Sequence, residues 1–578
     1  MKSDNFLANL YMGLFDENRF SSSRAEELEE ATDAIISAYR EAIQPYPPEL
    51  IEKEGALPQA LIRRFGEIGL FGLIIPEEYG GRGLRLTQYI KIVREMAKVD
   101  LAPALVSLAH LSIGIMGVIL FGNESQKRRY LVPGASGERI FAYALTEPMT
   151  GSDAKNIQSR AELSEDGTYY TLNGEKTYIT NANYAKAFTV FAQLDPARPG
   201  HMGAFIVERD WEGVSVGKDM PKMGLAASST AAVRFEDVRV PSENLLGRPG
   251  DGFKIAMAIL NYGRLGLGVA SAAAMEQSLK DMVKRATSRR QFGVPLSHFE
   301  LIQEKLVKAR VHGFVAAAMV DFVARALEFD PVANVALESS HCKLYGTTRA
   351  WETLYDALQV AGGSGYISTQ PYGKRLRDFR VTTVFEGTTE IHTIYPALFA
   401  LRKLAREMES SGRGRISGLT ALLKAAARRE RWPLAFEDRL MRKAARLAQD
   451  NFRSIRRMLC LGLLVYGKDI EKREFLLRRI THLSVDAFGI LTALATVRAE
   501  KQAGRSVDEA LEVLAYFLEE AKEGRKANVR LFANRKEVLH AVVFKRILGG
   551  AAVARAQPQP DAVQPPAIAP VDLGSRAA

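Results

Sequence analysis

The sequence predicts a mainly α-helical protein with one β domain in its middle and a second helical part after it. Three observations predict this order. Helical patterns fill residues 25–137, short strand-like segments separated by turns replace them from Ile140, and long helical patterns return at about Gly252. At 578 residues the chain is too long for one hydrophobic core, so roughly three or four domains are expected.

The predicted domains follow from these changes of pattern. We expect an N-terminal all-α domain at 20–139, a β-barrel or sandwich-like domain at 140–250, a four-helix bundle at 251–410, a helical extension at 411–550 and a disordered tail at 551–578. The segment SGRGRIS at 411–417 is typical of a linker, and the tail is rich in Ala and Pro.

The first domain is predicted to contain several helices. Residues 25–41 form an amphipathic pattern that ends before Pro45, Pro47 and Pro48, and residues 57–69 and 86–99 give two more. Residues 104–121 are almost wholly apolar, which predicts a buried helix rather than a surface one.

The β domain is predicted to begin with a hairpin. Residues 168–172 alternate, Asn173-Gly174 is a favoured hairpin dipeptide, and residues 175–180 would form the return strand. Further strands are expected at 188–194, 202–208, 214–216 and 232–240. The bundle that follows is predicted to consist of helices at 253–285, 300–329, 332–360 and 391–408.

Composition excludes several classes of protein. Hydrophobic content of 47% and charged content of 25% are ordinary for a folded protein. Two cysteines, Cys342 and Cys460, argue against a disulfide framework or a cysteine-based metal site. The start of the chain lacks the features of a secretory signal, and we expect no stretch of ~18 uncharged apolar residues. The expected location is the cytoplasm or the inner face of a membrane.

The net charge of +11 is unevenly placed. Residues 401–550 contain 32 Lys and Arg against 18 Asp and Glu, which gives +14 for this part alone. Such a surface suits anionic partners such as phospholipid or nucleic acid, although a solvated helical face explains scattered charges equally well.

The segment FEGTTEI at 385–391 contains the first candidate for chemistry. Glu386 follows an apolar run and precedes a glycine, two threonines and a helical pattern. Taken alone, the segment favours a helix cap by Thr388 or Thr389 with Glu386 in solvent. The alternative is a functional carboxylate at a helix entrance, with Gly387 allowing a ligand to approach the backbone.

Four other segments carry weak signals of their own. YALTEPMTGSD at 143–153 offers free backbone N–H groups and hydroxyls to a polar ring edge or a phosphate. Tyr178-Ile179-Thr180 offers an aromatic face and a hydroxyl. Arg289-Arg290-Gln291-Phe292-Gly293 is ordinary at a helix C-terminus but also suits a pyrophosphate. The glycine-rich QVAGGSGY at 359–366 lacks both phosphate-binding fingerprints.

Together, these segments resemble the acyl-CoA dehydrogenase family of flavin enzymes. The resemblance covers roughly residues 20–400 and rests on YALTEPMTGSD, NGEKTYIT (173–180), SRRQFG (288–293), QVAGGSGY and FEGTTEI in the family's order. Within the family the chain looks most like the very-long-chain branch, because of LNYGRLG (260–266), LIQEKL (301–306) and a helical C-terminal extension.

The resemblance implies a role for individual residues. The flavin of FAD would contact Tyr143, Leu145, Thr146, Gly151, Ser152, Tyr178, Ile179 and Thr180, and would be bordered by Thr388 and Glu390. FAD of a neighbouring subunit would contact Arg289, Phe292, Gln359, Gly362 and Gly363, which implies a homo-oligomer, with a dimer favoured. The acyl-CoA path would be lined by Ser152, Asn261, Arg264 and Gly387.

Glu386 would then be the catalytic base. Removing two hydrogens beside a thioester needs a base for the α-proton and an acceptor for the β-hydride, and only a flavin can be that acceptor here. Burial raises the pKa of a carboxyl and makes it a better base. Some family members place the base one residue before the arginine that matches Arg264, where this chain has Gly263.

Three departures from the family pattern concern the site. Tyr178 stands where the family usually has Trp, Asn261 stands where shorter-chain members often have Asp, and Pro396 would distort the start of the helix after the motif.

The leading hypothesis is an FAD-dependent dehydrogenase of long-chain acyl-CoA thioesters in fatty acid β-oxidation, which passes its electrons to an electron-transferring flavoprotein. The basic extension, with its apolar stretch 458–466, would touch a membrane surface or merely cover a domain interface. An assembly or binding protein that works through the extension on a membrane, a respiratory complex or nucleic acid is the alternative, with nucleic acid disfavoured. An oxygen-reducing oxidase is a third option. No metal site is expected.

Overall fold

The computed structural model describes residues 5–21, 30–410, 415–429 and 431–550, and among these the side chains of 407–410, 415–419 and 549–550 are outside the description. The predicted tail at 551–578 and part of the predicted linker at 411–417 therefore lie outside the described residues. The fold class is confirmed: a mainly helical protein with a central mixed β-sheet and additional C-terminal helices.

The N-terminal part is helical. Its helices are α1 (Phe6–Met12), α2 (Glu17–Phe20), α3 (Glu30–Ile43), α4 (Pro48–Glu54), α5 (Gln59–Ile68), α6 (Leu86–Val99), α7 (Leu101–Ala109), α8 (Met116–Phe121) and α9 (Glu124–Ser136). The single buried helix expected at 104–121 is wrong in one respect. A π-helical turn at His110–Gly114 separates α7 from α8, and such turns are frequent at functional sites.

Helix α1 precedes residue 20, where the predicted N-terminal domain begins. It packs against segments that are distant from it in sequence. Its residues from Phe6 to Tyr11 are almost completely buried against the bundle and the extension. The Asn5 side chain and the Leu7 N–H both donate to Glu338, at 2.6 and 3.0 Å, and the Tyr11 hydroxyl lies 2.7 Å from Ser484 Oγ. The N-terminal helix thus joins the bundle to the extension.

The central sheet contains eight strands. They are β1 (Phe141–Ala144), β2 (Arg160–Leu163), β3 (Tyr169–Thr180), β4 (Ala187–Gln193), β5 (Met202–Glu208), β6 (Val214–Val216), β7 (Thr230–Pro241) and β8 (Leu245–Gly250). The strand order is β6-β7-β3-β2-β4-β5-β8, with β1 paired to β4. The β1–β4 and β2–β4 pairs are parallel and the others are antiparallel.

The predicted hairpin at Asn173-Gly174 is wrong. Residues 169–180 form the single strand β3, which pairs with β7 and carries irregularities between Leu172 and Gly174 and between Lys176 and Ile179. A Cβ added at Gly174, where φ is 149°, would lie 2.2 Å from Ser159 Oγ. The glycine is therefore needed for a β-bulge and a close approach to Ser159, and not for a turn.

The second helical part is a bundle of long helices. It contains α10 (Gly252–Ser288), α11 (Glu300–Phe329), α12 (Ala336–Ala361), α13 (Pro371–Arg380) and α14 (Thr389–Ser410), with two-residue strands β9 (Arg290–Gln291) and β10 (Val294–Pro295) between α10 and α11. Helices α10, α11 and α12 pack against one another, and α14 packs on α12. Helix α14 runs through Pro396 as one continuous helix.

The extension contains α15 (Arg415–Ala427), α16 (Arg439–Tyr466), α17 (Glu474–Gln502), α18 (Asp508–Asn528) and α19 (Arg535–Gly550). Helix α17 is the centre of this part, because it contacts α16 and α18 on one side and α11 and α14 on the other. The apolar stretch 458–466 on α16 is only partly interior: Met458, Leu459, Cys460 and Gly462 are buried, whereas Val465 is exposed. Helix α19 has seven exposed large apolar side chains, more than any other described helix of the extension.

Three helical stretches are long and apolar enough to cross a membrane by length and composition. They are Leu101–Phe121, Gly252–Ser288 and Glu474–Gln502, so the expectation that no such stretch exists is wrong. In each, about four fifths of the most apolar window is buried inside the protein. Burial in the protein core accounts for their apolar composition.

Candidate active site

A cleft of about 450 Å³ lies where the N-terminal helices, the sheet and the bundle meet. Its apolar wall is formed by α7, the π-helical turn and α10, with side chains Leu105, Leu108, Ala109, Ile113, Phe253, Met257 and Leu260. Its polar side is formed by the loop after β1, the end of β3 and the turn before α14. The cleft therefore joins an apolar chamber to polar groups from three separate segments.

The loop after β1 is anchored by one buried ion pair. Glu147 Oε1 lies 2.7 Å from Lys176 Nζ on β3, and it accepts hydrogen bonds from the Ser159 N–H at 3.0 Å and from Ser159 Oγ at 2.6 Å. Burial opposes the ionised carboxyl, but Lys176 and these hydrogen bonds together keep the pKa of Glu147 below its usual value. The pair fixes Leu145, Thr146, Gly151 and Ser152 at the cleft.

Tyr178 reaches the cleft because β3 is irregular just before it. Its backbone is left-handed, with φ of 57°, and 60% of the residue surface is exposed. A tyrosine in this conformation at the end of a strand is strained, and such residues are concentrated at functional sites. The irregularity between Lys176 and Ile179 takes Tyr178 out of the ladder with β7, so its ring is available to a ligand.

The turn before α14 carries Glu386. Glu386 and Gly387 both have positive φ, 56° and 97°, and α14 begins two residues later at Thr389. The Ile391 N–H donates to Thr388 Oγ1 at 3.4 Å, so the helix cap expected at Thr388 is present. The cap holds the start of the helix while the strained turn aims the Glu386 side chain away from solvent.

Glu386 is partly buried as a residue, but its Oε2 is inaccessible to solvent and has no hydrogen-bond partner in the described part of the chain. Burial raises the pKa of Glu386 to about 7, against the opposing effect of the cations Arg264 and Lys343. A carboxyl with a pKa near the working pH, and with an oxygen left without a partner, is suited to take up a proton.

Gly263 on α10 lies directly against this carboxyl. A Cβ at position 263 would lie 2.5 Å from Glu386 Oε2 and 2.7 Å from Oε1. The absence of a side chain at 263 therefore makes the space that the Glu386 carboxyl occupies.

The backbone of the turn is held by two buried side chains that the sequence patterns did not identify. Lys343 on α12 donates from Nζ to the Gly387 carbonyl oxygen. His392 Nε2 lies 3.0 Å from the Glu386 carbonyl oxygen, and its Nδ1 lies 2.8 Å from Ser340 Oγ. A Cβ at Gly387 would lie 2.8 Å from His392 Nε2, so the glycine is needed for this contact as well as for its positive φ.

The structure brings together about half of the residues predicted from the resemblance. The cleft is lined by Tyr143, Leu145, Thr146, Gly151, Ser152, Tyr178, Ile179, Thr180, Arg264, Glu386 and Gly387. Thr388 and Glu390 lie in the adjoining turn of α14 but do not line the cleft. Asn261 is buried on α10, where its Oδ1 accepts from Ser339 Oγ at 3.0 Å, so its place on an acyl-CoA path has no support from the structure.

Five predicted cofactor contacts lie elsewhere on the surface. Arg289, Phe292, Gln359, Gly362 and Gly363 are all exposed and lie outside the cleft. Phe292 is 94% exposed, and Tyr366, which follows Gly363 by three residues, is 86% exposed. Because these residues do not line the cleft of their own chain, they are not placed to contact a ligand bound there.

Sequence patterns missed several residues that lie near Glu386 or line the same cleft. Lys343, His392, Tyr395 and Arg402 gave no motif, although a lysine at 343 among apolar neighbours on a helix was an available signal. The apolar wall from α7 and the π-helical turn was assigned only to a buried helix. Within the residues that the structure describes, no group of three or more His, Cys, Asp or Glu side chains could hold a metal ion.

Comparisons with known proteins divide residues 25–396 into three domains of one family. Three family descriptions match the chain: acyl-CoA dehydrogenase N-terminal domain at 25–138, middle domain at 142–238 and C-terminal domain at 250–396. The very long-chain specific acyl-CoA dehydrogenase, mitochondrial, of Macaca fascicularis is 34% identical over 507 residues, covering 85% of this chain and 76% of that protein.

Two solved structures extend the similarity to the fold. The acyl-CoA dehydrogenase complexed with FAD from Bacillus anthracis has 27% identity and a TM-score of 0.77, covering 93% of this chain and 94% of that chain. A chain of the structure described as the electron transferring flavoprotein of Acidaminococcus fermentans has 34% identity and a TM-score of 0.59, covering 64% and 97%.

Proposed function

This chain belongs to the acyl-CoA dehydrogenase family of FAD-dependent oxidoreductases, and we propose that it dehydrogenates long-chain acyl-CoA thioesters with Glu386 as the catalytic base. The family assigns the reaction class, acyl-CoA dehydrogenation in fatty acid oxidation. The chain-length class, the role of Glu386, the electron acceptor and the subunit contacts are the content of the proposal.

The reaction removes a proton from Cα and a hydride from Cβ of the acyl chain. Glu386 takes the α-proton onto its carboxylate, and the C–H electron pair forms the Cα–Cβ double bond of the trans-2-enoyl product as the hydride leaves Cβ. When bound, FAD supplies the hydride acceptor, which no side chain can be. The α-proton is far less acidic than a carboxylic acid, so a backbone N–H near the thioester oxygen is needed to stabilise the developing charge.

The residues of the cleft fit FAD. The anchored loop after β1 brings peptide N–H groups and the Thr146 and Ser152 hydroxyls to the cleft, and Tyr178 offers an aromatic face. A Cβ at Gly151 would have no atom within 4 Å, so the loop leaves open space beside these donors. Tyr143, Leu145, Ile179 and Thr180 complete the set that would hold the flavin.

The buried, unpartnered Oε2 of Glu386 is the observation that carries the proposal. Anaerobic addition of palmitoyl-CoA to the FAD-loaded protein is expected to bleach the flavin, and an artificial acceptor is expected to restore its absorbance with turnover. A protein whose bound flavin is not bleached by any acyl-CoA from C4 to C20 would contradict it.

Two observations support a long-chain substrate. The similar mitochondrial protein of Macaca fascicularis is named very long-chain specific. The chamber wall is apolar along Leu105, Leu108, Ala109 and Ile113, which suits an alkyl chain. We expect kcat/KM to rise from C4 to C16 acyl-CoA, and a maximum at C4 would overturn the chain-length assignment.

A second subunit is proposed at the exposed surface around Phe292. The exposed apolar side chains Leu301, Tyr366 and Ile367 follow the five predicted cofactor contacts closely in sequence. An exposed apolar surface with cations beside it supports a subunit contact that reaches the partner's FAD. Sedimentation should give at least a dimer, and Arg289→Ala should weaken FAD retention. A monomer with full FAD occupancy would exclude this arrangement.

An electron-transferring flavoprotein is the proposed acceptor of the electrons. The structural relative from Acidaminococcus fermentans comes from a structure described by that name, which supports the choice. Purified electron-transferring flavoprotein should be reduced anaerobically in the presence of palmitoyl-CoA. Rapid oxygen consumption with formation of hydrogen peroxide would identify an oxidase instead.

Helix α19 is proposed as a contact with an anionic membrane surface. Its exposed apolar side chains are Val538, Leu539, Val542, Val543, Phe544, Ile547 and Leu548, and its exposed cations are Arg535, Lys536, Lys545 and Arg546. An exposed helix with apolar residues and cations suits a lipid interface. The protein should sediment with phosphatidylglycerol vesicles, and Val543→Asp should weaken this while Leu163→Asp on β2 should not. Equal sedimentation of both variants would exclude α19 as the contact.

A further inference from the structure

The lysine beside the proposed base is unusual because it is buried, yet it is bonded to no carboxylate among the residues that the structure describes. Lys343 is completely inaccessible to solvent on α12, and a lysine is almost never fully buried without a partner. Its Nζ donates to the Gly387 carbonyl oxygen, one residue after Glu386. The protein therefore holds a cation next to its proposed base without neutralising that base in an ion pair.

The position of this hydrogen bond is informative. The peptide that Lys343 holds joins Gly387 to Thr388. It follows Glu386, where φ is 56°, and Gly387, whose φ of 97° few other residues adopt. A non-glycine residue in the left-handed region costs about 1–3 kcal/mol, so it persists only where its surroundings hold it. His392 holds the preceding carbonyl oxygen, that of Glu386, at 3.0 Å.

The two tethers differ in charge. Burial keeps the pKa of His392 well below its usual value, and the neighbouring Arg264 and Lys343 lower it further, so His392 is neutral. Burial also lowers the pKa of Lys343, to about 8, while Glu386 raises it, so Lys343 remains largely protonated at neutral pH. Lys343 can therefore act on Glu386 through its charge as well as through geometry, whereas His392 acts through geometry alone.

We propose that Lys343 is the positioning residue of this active site: it fixes the Gly387–Thr388 peptide of the turn and supplies a positive charge that keeps the Glu386 carboxylate available as a base. The inference rests on the proposed role of Glu386. Lys343 does not touch the reacting atoms; it acts through the turn and through its field.

Other charged and titratable groups face the same space and set the limits of the effect. Arg264 on α10 lowers the pKa of Glu386 more than Lys343 does. The remaining groups whose charge interacts with Glu386, Arg264 or Lys343 are Tyr89 on α6, Tyr143 on β1, and Glu390, His392 and Tyr395 on α14. Because Arg264 remains in place, removal of Lys343 should shift the titration of Glu386 without abolishing its ionisation.

The test is the pH dependence of kcat/KM for Lys343→Met and Lys343→Arg in the FAD-loaded protein. An opposite charge at ~4–6 Å lowers a carboxyl pKa by about one unit or more, so Lys343→Met should move the acid limb of the profile upward by about one pH unit. Lys343→Arg keeps the charge but changes its reach. It should retain the wild-type limb while kcat falls, because the turn is displaced.

A matched control separates this role from simple loss of stability. Lys374 is another buried lysine, bound to Asp100 and Asp378 outside the cleft. Lys374→Met should lower the thermal midpoint and leave the acid limb unchanged. A Lys343→Met profile that coincides with the wild-type profile would overturn the inference, and so would a Lys343→Arg profile shifted as far as that of Lys343→Met.

The outcome is also informative where Lys343→Met does not fold, because Lys343→Arg alone then decides between the two roles. An acid limb like that of the wild type, together with a reduced kcat, supports the claim that Lys343 acts through its charge. A shifted acid limb contradicts that claim. Failure of the proposed function would look different, since Glu386→Gln would then turn over normally and the wild type would show no acid limb.

Discussion

Two glutamates of this protein lie next to a buried lysine, and they differ in what the lysine contacts. Lys176 Nζ is 2.7 Å from the Glu147 carboxylate, which also accepts hydrogen bonds from Ser159. Lys343 donates to the Gly387 carbonyl oxygen instead, and Glu386 Oε2 has no partner among the described residues. The same two residue types thus form a closed ion pair behind the loop after β1 and an open arrangement at the turn before α14.

The difference explains why one carboxyl anchors a loop and the other is suited to chemistry. Hydrogen bonds and the ammonium lower the pKa of Glu147, so it is ionised and saturated. Burial outweighs two cations at Glu386 and raises its pKa to about 7. Protonation lowers the free energy of a carboxylate little when hydrogen bonds and a cation already stabilise its charge. It lowers the free energy more when the carboxylate lacks partners in a site that excludes water.

The largest effect is expected at the open site. Glu386→Gln keeps the shape of the side chain but removes the base, and general base catalysis contributes about 10²–10⁴-fold. We expect kcat with palmitoyl-CoA to fall by at least ~10³-fold, with FAD still bound as judged by its absorbance. Turnover within tenfold of the wild type would show that another group takes the proton.

At the closed pair the expected loss is one of stability. Lys176→Met leaves the Glu147 carboxylate buried without its cation, which costs about 3–5 kcal/mol. Thermal unfolding of Lys176→Met should show a lower midpoint than the wild type. Lys472→Met provides the control, because Lys472 and Asp469 form an exposed pair worth less than ~1 kcal/mol. Similar midpoints for the two variants would remove the distinction between the sites.

A substitution at Gly263 tests whether the Glu386 carboxyl needs the space that the missing side chain leaves. Gly263→Ala places a methyl group where the Glu386 carboxyl lies, and a displacement of ~1 Å can cost about 100-fold in rate. We expect kcat to fall by roughly 10- to 100-fold. Gly313→Ala on α11 is the matched control, since its Cβ would meet only Met275 Cβ at 3.6 Å. An unchanged kcat for Gly263→Ala would mean that the carboxyl does not need this position.

The smallest expected effect is the contribution of Glu386 to the stability of the folded protein. The pKa of Glu386 is raised whereas that of Glu147 is lowered, so the two contributions change with pH in opposite directions. The folded pKa of Glu386 lies above the unfolded value, so the folded protein loses stability as pH rises from about 4.5 to about 7. Glu386→Gln should therefore be more stable than the wild type by on the order of 1–2 kcal/mol at pH 8. The gain should disappear near pH 5. A variant less stable at pH 8 would contradict this.

Many helices and strands of this protein could be predicted from the sequence, whereas the contacts around Glu386 could not. Local patterns identify β5, α6 and α11, because strand alternation and helical periodicity are properties of neighbouring residues. The motif around Glu386 was identified through a resemblance and not through its own pattern, which favoured a cap. The cap at Thr388 is present, whereas Glu386 Oε2 is buried and not in solvent, and the role of Glu386 as a base stays a prediction.

What the sequence did not predict depends on contacts between distant segments. Asn173-Gly174 is a hairpin signal, but Ser159 and strand β7 determine that β3 runs straight through it. Lys343 and His392 meet Glu386 only because α12 and α14 pack together. Helix α1 is buried because of Glu338 and Ser484, which are more than 300 residues away in sequence.

The most direct test of the open arrangement is the pH dependence of flavin bleaching in a single anaerobic turnover with palmitoyl-CoA. If Glu386 is the base, the rate of bleaching should rise with pH through one ionisation near pH 7, and Glu386→Gln should bleach at least ~10³-fold more slowly at every pH. A wild-type rate that is independent of pH between 5 and 9, or a Glu386→Gln variant that bleaches at the wild-type rate, would contradict the account.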